Sequence, residues 1–189
     1  MPIPLPAADG VSIVHYSAPL DSLLIPMMKV SSNAWAEQIA AGTGSYKWGA
    51  YLPTWPSVLD SLGLPPDEGM RAADACGMSR RNRMRAETVH HLLVAANATW
   101  GERWLNLLPM ANEEGSTLEG RFKGLEDRII AKTGSLSGCR SLAGYILDKH
   151  GDPALDFVIF VNHAPSSPTS TIDEYVRNLV TQLDRDPKE

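Results

Sequence analysis

The sequence predicts an α+β domain in which helices precede a small antiparallel sheet and a last helix covers that sheet. Apolar residues recur at helical spacing as far as Leu108. Three runs typical of strands follow, at residues 128–132, 139–147 and 155–162, and the connections between them have the length and composition of hairpins. A final amphipathic run at 172–183 predicts the covering helix.

The helices of the first part are predicted from apolar residues at intervals of three and four. They are expected at residues 20–28, 33–41, 55–62 and 86–98, with helical character continuing over 100–108. We expect Asp21 to cap the first helix, Pro26 to kink or divide it, and Gly42 to end the second.

Composition excludes several classes of protein. The 189 residues suit one domain or one large fragment of a bigger one, and 43% hydrophobic residues are enough for a core. A formal charge of −5 argues against a nucleic-acid surface, which needs clustered Lys and Arg. No apolar stretch approaches the roughly 20 residues that cross a bilayer. We therefore predict no nucleic-acid partner and no membrane span.

The N-terminal segment, residues 1–14, should be extended, because three prolines among the first six residues cannot propagate a helix. Residues 15–189 then form the domain. The opening "MPIPLPAADG" has no basic region and no continuous apolar region, so it does not read as a secretion signal. The sequence leaves two possibilities, a cytosolic protein or one from which a leader and more have been removed.

Cysteine and histidine spacing predicts no metal site, and nothing in the sequence predicts a cofactor. Cys76 and Cys139 are far apart and fit free buried thiols, with a single disulfide as the alternative. The pair His90 and His91 fits a helix surface, since no metal-binding spacing surrounds it.

Two other features have both a structural and a functional interpretation. The basic cluster at residues 80–85, "SRRNRMR" with the serine before it, fits a solvated turn better than a phosphate site. Several aromatic residues fall in a connection rich in Gly and Pro, where they either cap the core or line a ligand groove; they are Tyr46, Trp48, Tyr51 and Trp55.

The stretch "IIAKTGSLSGCRSLAGYILD" carries the first chemical signal. A lysine that closes an edge strand often only faces water and discourages aggregation. Lys132, Thr133 and Gly134 in succession also form a receptor for a peptide that ends in a carboxylate. Lysine and threonine bind the anion, while glycine lets the substrate backbone lie alongside.

The second signal lies 101 positions earlier, where "KVSSNAWAEQI" contains Ser31-x-Asn33. Such a tripeptide is common by chance and says little alone. Serine-acylating enzymes that recognise penicillin use S-x-x-K, S-x-N and K-T-G as three walls of one cleft. The second and third of these motifs are present here in that order.

With their flanks, these motifs are specific. "MMKVSSNAWAEQI", "DACGMSRRN", "AKTGSLSGCRSLAGYI" and "FVIFVNHAP" resemble the penicillin-binding D-alanyl-D-alanine carboxypeptidases of the low-molecular-mass class C type, which include endopeptidases acting on peptidoglycan cross-links. The resemblance covers about residues 15–165 and the C-terminal part of the transpeptidase-like domain. It implies a partial penicillin-binding or β-lactamase-like fold, an antiparallel sheet covered by helices that lacks its N-terminal strands and nucleophile helix.

The resemblance also implies a role for each motif residue. Ser31 would relay a proton to or from the leaving amine, and Asn33 would bind the substrate's peptide group. Lys132 and Thr133 would hold the terminal carboxylate, and the Ser135 N–H would form half of an oxyanion hole. The implied ligands are a peptidoglycan stem peptide ending in D-Ala-D-Ala and β-lactams, and the implied location is periplasmic or extracellular.

The acylating serine is not found in this sequence. None of the lysines, at positions 29, 47, 123, 132, 149 and 188, has a serine three positions before it. Three interpretations follow. The chain is the C-terminal portion of a carboxypeptidase or endopeptidase, inactive alone or active only with a missing N-terminal portion. Otherwise it is a non-catalytic descendant that binds stem peptides or a protein, or the motifs are coincidental in an unrelated structural domain.

Two further expectations follow from the resemblance. The strand at 155–162 would lack a neighbour that the family supplies from its N-terminal part, so we expect an open edge that self-associates or accepts a strand. The sequence "DACG" replaces the family's usual Asp-Gly-Ser-Gly. Asp74 and Gly77 still suit a tight turn there, and Cys76 is expected to be structural.

Overall fold

The computed structural model describes residues 14–43, 55–164 and 167–185. Six helices and three strands lie in this part of the chain. The helices are α1 Leu20–Val30, α2 Asn33–Thr43, α3 Trp55–Ser61, α4 Ala86–Trp100, α5 Glu102–Leu105 and α6 Thr169–Arg185. The strands are β1 Ile129–Leu136, β2 Cys139–Leu147 and β3 Pro153–Asn162. The predicted α+β order is confirmed.

The first two helices differ from the prediction at their ends. α1 is continuous through Pro26, so the proline does not divide it. Its N-cap is Pro19, which offers no side-chain cap, and Asp21 lies in the first turn, where its carboxylate pairs with Arg103 at 2.7 Å. The predicted cap is therefore wrong. α2 passes Gly42 and ends at Thr43.

The predicted helical character over residues 100–108 is largely wrong. Gly101 has φ +50 and ends α4, and only the four residues of α5 follow as a helix. A residue in this backbone region cannot continue an α-helix, and glycine enters it without a Cβ penalty. The break turns the chain toward β1 through the buried Leu108 and Pro109.

The sheet is antiparallel, with the order β1-β2-β3. Leu136 pairs with Cys139 across a two-residue turn whose second residue, Gly138, has φ +75. β1 therefore runs four residues beyond Lys132, and the expectation that 133–138 form a connection is wrong. β2 has the predicted bounds, and β3 begins two residues earlier than predicted.

Hydrophobic residues pack on both faces of the sheet. One face carries Ile129, Ala131, Leu142 and Ile146 and packs against Ile172, Val176 and Val180 of α6. The opposite face carries Ile130 and Tyr145 and packs against Leu93 of α4, Leu108 and the partly buried Met28 of α1. Successive side chains of a strand point to opposite faces. Lys132 therefore shares the face of Ile130, toward α1.

The two edges of the sheet differ. The outer edge of β1 is occupied at its start, where Met110 bridges to Ile130. β3 pairs with β2 alone within the described residues, so its other edge is open there. The self-association or strand addition expected at residues 155–162 stays a prediction.

Several smaller expectations also have an outcome. Both cysteines are free and partly exposed, so the disulfide alternative is not realised. His90 is exposed on α4 and contacts Asp156 of β3. The arginines of the basic cluster are exposed, as expected of a solvated turn. Residues 1–13 and the aromatic residues Tyr46, Trp48 and Tyr51 lie outside the described part of the chain, while Trp55 is partly buried at the start of α3. None of the described helices combines the length and the hydropathy needed to span a bilayer.

Candidate active site

Ser31 ends α1 in an unusual backbone conformation. It is the C-cap residue, with φ 55 and ψ 49, and its N–H donates to the carbonyl of Met27. The N–H of Ser32 donates to the same oxygen at 3.0 Å. Left-handed helix ends normally carry Gly or Asn, because a Cβ is strained there. Ser31 shares this positive φ with three other non-glycine residues of the described chain, Asn112, Phe122 and His163.

Ser32 and Asn33 begin the next helix. The Ser32 hydroxyl accepts the N–H of Trp35 at 3.5 Å, and Asn33 is the first residue of α2. The Asn33 side chain is exposed. The S-x-N motif thus spans a sharp junction between two helices, which fixes the backbone positions of Ser31 and Asn33.

Lys132 reaches across to that junction from β1. Its Nζ contacts Ser31 Oγ and donates to the carbonyl of Thr133 at 2.9 Å. Burial disfavours the charged ammonium and lowers the pKa of Lys132 to about 8. The structure therefore brings together two residues 101 positions apart and gives the lysine a pKa at which it exchanges protons near neutral pH.

The backbone beyond Lys132 is available to a ligand. At the start of β1, Ala111 donates its N–H to the carbonyl of Ile129, and Ala131 donates to the carbonyl of Pro109, each at 2.9 Å. Odd-numbered residues of β1 therefore direct their backbone groups away from β2. By the same alternation, Thr133 and Ser135 turn theirs to the outer edge. Among the described residues, no backbone–backbone hydrogen bond occupies that edge beyond Ala131, although the Thr133 carbonyl accepts Lys132 Nζ.

Gly134 is required by its neighbour in the sheet. A Cβ at this position would lie 2.2 Å from the hydroxyl oxygen of Ser141, which is directly across on β2. Such a distance is far inside van der Waals contact, so any larger residue here would require the Ser141 hydroxyl to move. The structure thus supplies a reason for this glycine besides the approach of a substrate backbone.

A turn packs beside the site and connects its two walls. The buried carboxylate of Glu37 in α2 accepts the N–H groups of Ala75 and Cys76 at 2.8 and 2.9 Å. Asp74 accepts the N–H of Gly77 at 2.8 Å, in the tight turn expected there. Arg80 of the same segment donates to the carbonyl of Ser137, between β1 and β2, at 2.9 Å.

Glu37, Asp74 and Cys76 also form the one cluster of possible metal ligands found in the described ranges, with ligand atoms within 4.8 Å of one another. Both carboxylates already accept backbone N–H groups, which is the role of a structural turn. Burial raises the pKa of the Cys76 thiol, so the thiolate that binds metals is disfavoured. We assign these residues to the turn.

Sequence reasoning missed one charged pair behind the site. Lys29, in the last turn of α1, forms an ion pair with Glu113 at 2.8 Å. Its only signal in the sequence is a lysine two positions before Ser31. Its partner lies 84 residues away, and no local pattern points to it.

An antiparallel sheet between helices, with a helix-end serine against a lysine of the edge strand, defines a penicillin-binding type of fold. The solved structure of penicillin-binding protein 4 (dacB) from Haemophilus influenzae, complexed with a β-lactam, superposes with a TM-score of 0.71 at 28% identity. The match covers 95% of this chain and 45% of that one. This resemblance and the observed elements agree with the fold predicted from the motifs.

The chain belongs to the D-Ala-D-Ala carboxypeptidase 3 (S13) family, whose model matches residues 5–182. It is 36% identical over 168 residues to the D-alanyl-D-alanine carboxypeptidase of Actinomadura sp. (strain R39), covering 82% of this chain. It is 34% identical over 190 residues to the D-alanyl-D-alanine carboxypeptidase DacB of Haemophilus influenzae, covering 89%. The chain spans 30% and 38% of the length of these two relatives.

Proposed function

We propose that this chain supplies two walls of the active site of a serine D-Ala-D-Ala carboxypeptidase or endopeptidase that acts on peptidoglycan stem peptides. The observation that carries the proposal is the contact between Ser31 Oγ and Lys132 Nζ, beside the open backbone edge of Thr133 and Ser135. Family membership supports the same reaction.

The substrate would bind as an extra strand along that edge. Its terminal carboxylate would meet the Lys132 ammonium and the Thr133 hydroxyl, since a charge-assisted hydrogen bond is the strong kind. The Ser135 N–H would donate to the carbonyl oxygen of the bond to be cleaved, as one half of an oxyanion hole. The Asn33 amide would hydrogen-bond the peptide group of the substrate.

Ser31 and Lys132 would move the proton of the reaction. The acylating serine would pass its hydroxyl proton to the lysine of its own S-x-x-K segment as its oxygen bonds to the carbonyl carbon. The carbon–nitrogen bond then breaks and the leaving amine needs a proton. The Ser31 hydroxyl would donate it and regain one from Lys132, whose pKa of about 8 suits an exchange near neutral pH. The acylating serine would come from an S-x-x-K segment, which this sequence does not contain.

A chain without that serine should not be acylated by penicillin. Removal of a nucleophile leaves only the rate that binding and the oxyanion hole supply. Fluorescent penicillin should therefore give no stable adduct with this chain, and intact-protein mass spectrometry should find no penicilloyl increment. Adding a fragment of a relative that carries S-x-x-K and recovering the adduct would support a site made of two pieces. An adduct on this chain alone would contradict the proposal.

The second candidate is a non-catalytic module that binds stem peptides, and the edge of β1 beside Lys132 supports it, because binding there needs no acylating serine. Both candidates need the same groove. Isothermal titration with an acetylated peptide ending in D-Ala-D-Ala should detect binding that Lys132→Ala weakens by about tenfold or more, the typical loss of a charged hydrogen-bond partner. Lys149→Ala, at an exposed lysine in the turn after β2, is the matched control. A peptide affinity that is unchanged in Lys132→Ala would exclude both candidates.

We further propose that the open edge of β3 pairs with the β3 of a second copy. The strand has ten residues, carries no Lys or Arg, and has Leu155 and Phe160 exposed at 38% and 39%. Apart from Pro153 at its start and Asp156, such an edge lacks the usual protection against strand pairing. Light scattering should find a dimer that Phe160→Lys, at an exposed position of the strand, converts to a monomer. A wild-type monomer would contradict this.

The proposed substrate also predicts where the chain acts. Peptidoglycan lies outside the bacterial cytoplasm, so we expect a periplasmic or extracellular location. Cell fractionation with an antibody against the chain would test this, and a purely cytoplasmic signal would count against a role in peptidoglycan cleavage.

A further inference from the structure

A second lysine joins the two walls of the candidate site from behind. Lys29 lies two residues before Ser31. Its side chain turns away from the crevice between Ser31 and Lys132 and toward the segment that pairs with the outer edge of β1. Its Nζ donates to the carbonyl of Leu108 at 2.6 Å and to Glu113 Oε2 at 2.8 Å. The two side chains of the ion pair are 19% and 33% exposed, so water screens the pair only in part.

Backbone hydrogen bonds fix the same contact. The carbonyl of Lys29 accepts the N–H of Thr117 at 3.0 Å. Glu113 Oε2 accepts the N–H of Met110 at 2.8 Å in addition to the lysine. The end of α1 is therefore held to residues 108–117 by side chain and backbone together.

Residues 109–111 are in turn held to β1. Pro109 accepts the N–H of Ala131, and Ala111 donates to Ile129, each at 2.9 Å. Lys132 follows Ala131 directly. A continuous series of contacts therefore runs from Ser31 through Lys29 and the segment after Leu108 to the start of β1 and Lys132. Lys132 contacts Ser31 in turn, so the series forms a closed ring of contacts.

We propose that Lys29 and Glu113 are positioning residues that set the separation between Ser31 and Lys132. This proposal rests on the function proposed above, because positioning by Lys29 and Glu113 has a purpose only if Ser31 and Lys132 act as one site. The pair lies at the end of α1 that carries Ser31. Ser31 at the end of α1 and Lys132 in β1 are 101 residues apart in the sequence. The ring of contacts links these two elements through residues that lie outside the crevice between Ser31 and Lys132.

The other ion pair of α1 offers a matched control. Asp21 and Arg103 also tie α1 to the helical part of the molecule, with Nη2 and Oδ2 2.7 Å apart. That pair is more exposed, at 50% and 72%, and lies in the first turn of the helix, away from Ser31. Removing it tests the effect of losing an ion pair on α1 without loosening the end of the helix that carries Ser31.

The experiment follows the protonation of Lys132, which needs no substrate. The chain is labelled with acetic anhydride over a range of pH, and the acetylation of Lys132 is quantified by peptide mass spectrometry. Burial should place the wild-type midpoint near 8. In Lys29→Met and Glu113→Gln the crevice should open, water should reach the amine, and the midpoint should rise by about one unit or more toward 10.5. Lys29→Arg, which keeps the charge, and Asp21→Asn should retain the low midpoint.

Each outcome decides the proposal. Circular dichroism establishes that each variant is folded, and Glu113→Gln, which keeps one acceptor oxygen, supplies the test if Lys29→Met does not fold. A folded variant with an unchanged midpoint would show that the pair only adds stability, and would overturn the proposal. An ordinary midpoint in the wild type would overturn it as well, since no closed crevice would exist. A midpoint that shifts as expected in a chain that fails to bind D-Ala-D-Ala peptide would support the positioning role and refute the proposed function alone.

Discussion

Replacing Lys132 with methionine should make the protein more stable at neutral pH. Lys132 has a pKa of about 8 in place of 10.5 because it is buried, and each pKa unit corresponds to about 1.4 kcal/mol. Holding the charged amine in the fold therefore costs about 3 kcal/mol. Hydrogen bonds to Ser31 and Thr133 offset about 1 kcal/mol each, so Lys132→Met should raise the free energy of unfolding by about 1–2 kcal/mol.

The gain in the free energy of unfolding depends on pH. Below pH 8 Lys132 is charged in both the folded and the unfolded chain, so its cost is fully present. Between 8 and 10.5 the unfolded chain binds more protons at this residue, and the stability of the wild type rises with pH. Above 10.5 the amine is neutral in both states and the cost is gone. The advantage of Lys132→Met should therefore fade over that interval.

Urea unfolding followed by tryptophan fluorescence measures this directly. Wild type and Lys132→Met are compared at neutral pH and near pH 10.5, with Lys149→Met as the control at an exposed lysine. Other groups that titrate in this range affect both chains alike and cancel in the difference. A destabilising Lys132→Met, or a difference that is the same at both pH values, would refute the burial of the charged amine.

Three backbone predictions can be measured in the same unfolding experiment. Ser31→Gly should be more stable than Ser31→Ala by about 1 kcal/mol, because both variants lose the hydroxyl and only glycine relieves the left-handed strain. Equal stabilities would contradict a left-handed helix end. Gly134→Ala should lose about 1–2 kcal/mol of unfolding free energy through the clash with Ser141 Oγ. Adding Ser141→Ala should restore most of that loss, since the next contact of the new Cβ is an ordinary 3.5 Å. Additive losses in the double variant would rule out the clash. Gly144→Ala should lose about 3 kcal/mol or more of unfolding free energy, because its Cβ would lie 2.1 Å from the Ile130 carbonyl oxygen. No side-chain change relieves a clash with the backbone. A well-folded Gly144→Ala would show that β1 and β2 are not so close.

The elements that the sequence predicted well are those with a strong local pattern. β2 has the predicted bounds because apolar and small residues run continuously from Ser141 to Leu147 and turn residues flank the strand at both ends. The end of β1 was missed because Thr133, Gly134 and Ser135 are residues that turns favour. In the structure their small size serves the sheet instead, where Ser141 fills the space over Gly134. Local propensity could not reveal this, since Ser141 enters only through the strand register.

The site could be predicted only as far as its motifs. Ser31 and Lys132 were predicted to meet because two short motifs occur in a characteristic order. The conformation of Ser31 was not predicted, since a left-handed serine has no signature distinct from any other helix end. Lys29 was missed for a related reason: its acceptors, at Leu108 and Glu113, are 79 and 84 residues away, and the segment that holds them has no regular periodicity. Contacts of this kind follow from the fold and cannot be read from local sequence.

The two central residues of the site are both unfavourable for the fold. Glycine at position 31 would remove backbone strain of about 1 kcal/mol, and an apolar residue at position 132 would remove the cost of a buried charge. A sequence selected for stability alone would contain neither Ser31 nor Lys132. Residues that break local rules in this way concentrate where a protein acts, and the surrounding structure must hold them in place. Because Ser31 and Lys132 are also in contact, the two unfavourable choices occur at one point of the molecule, as the proposed proton relay would require.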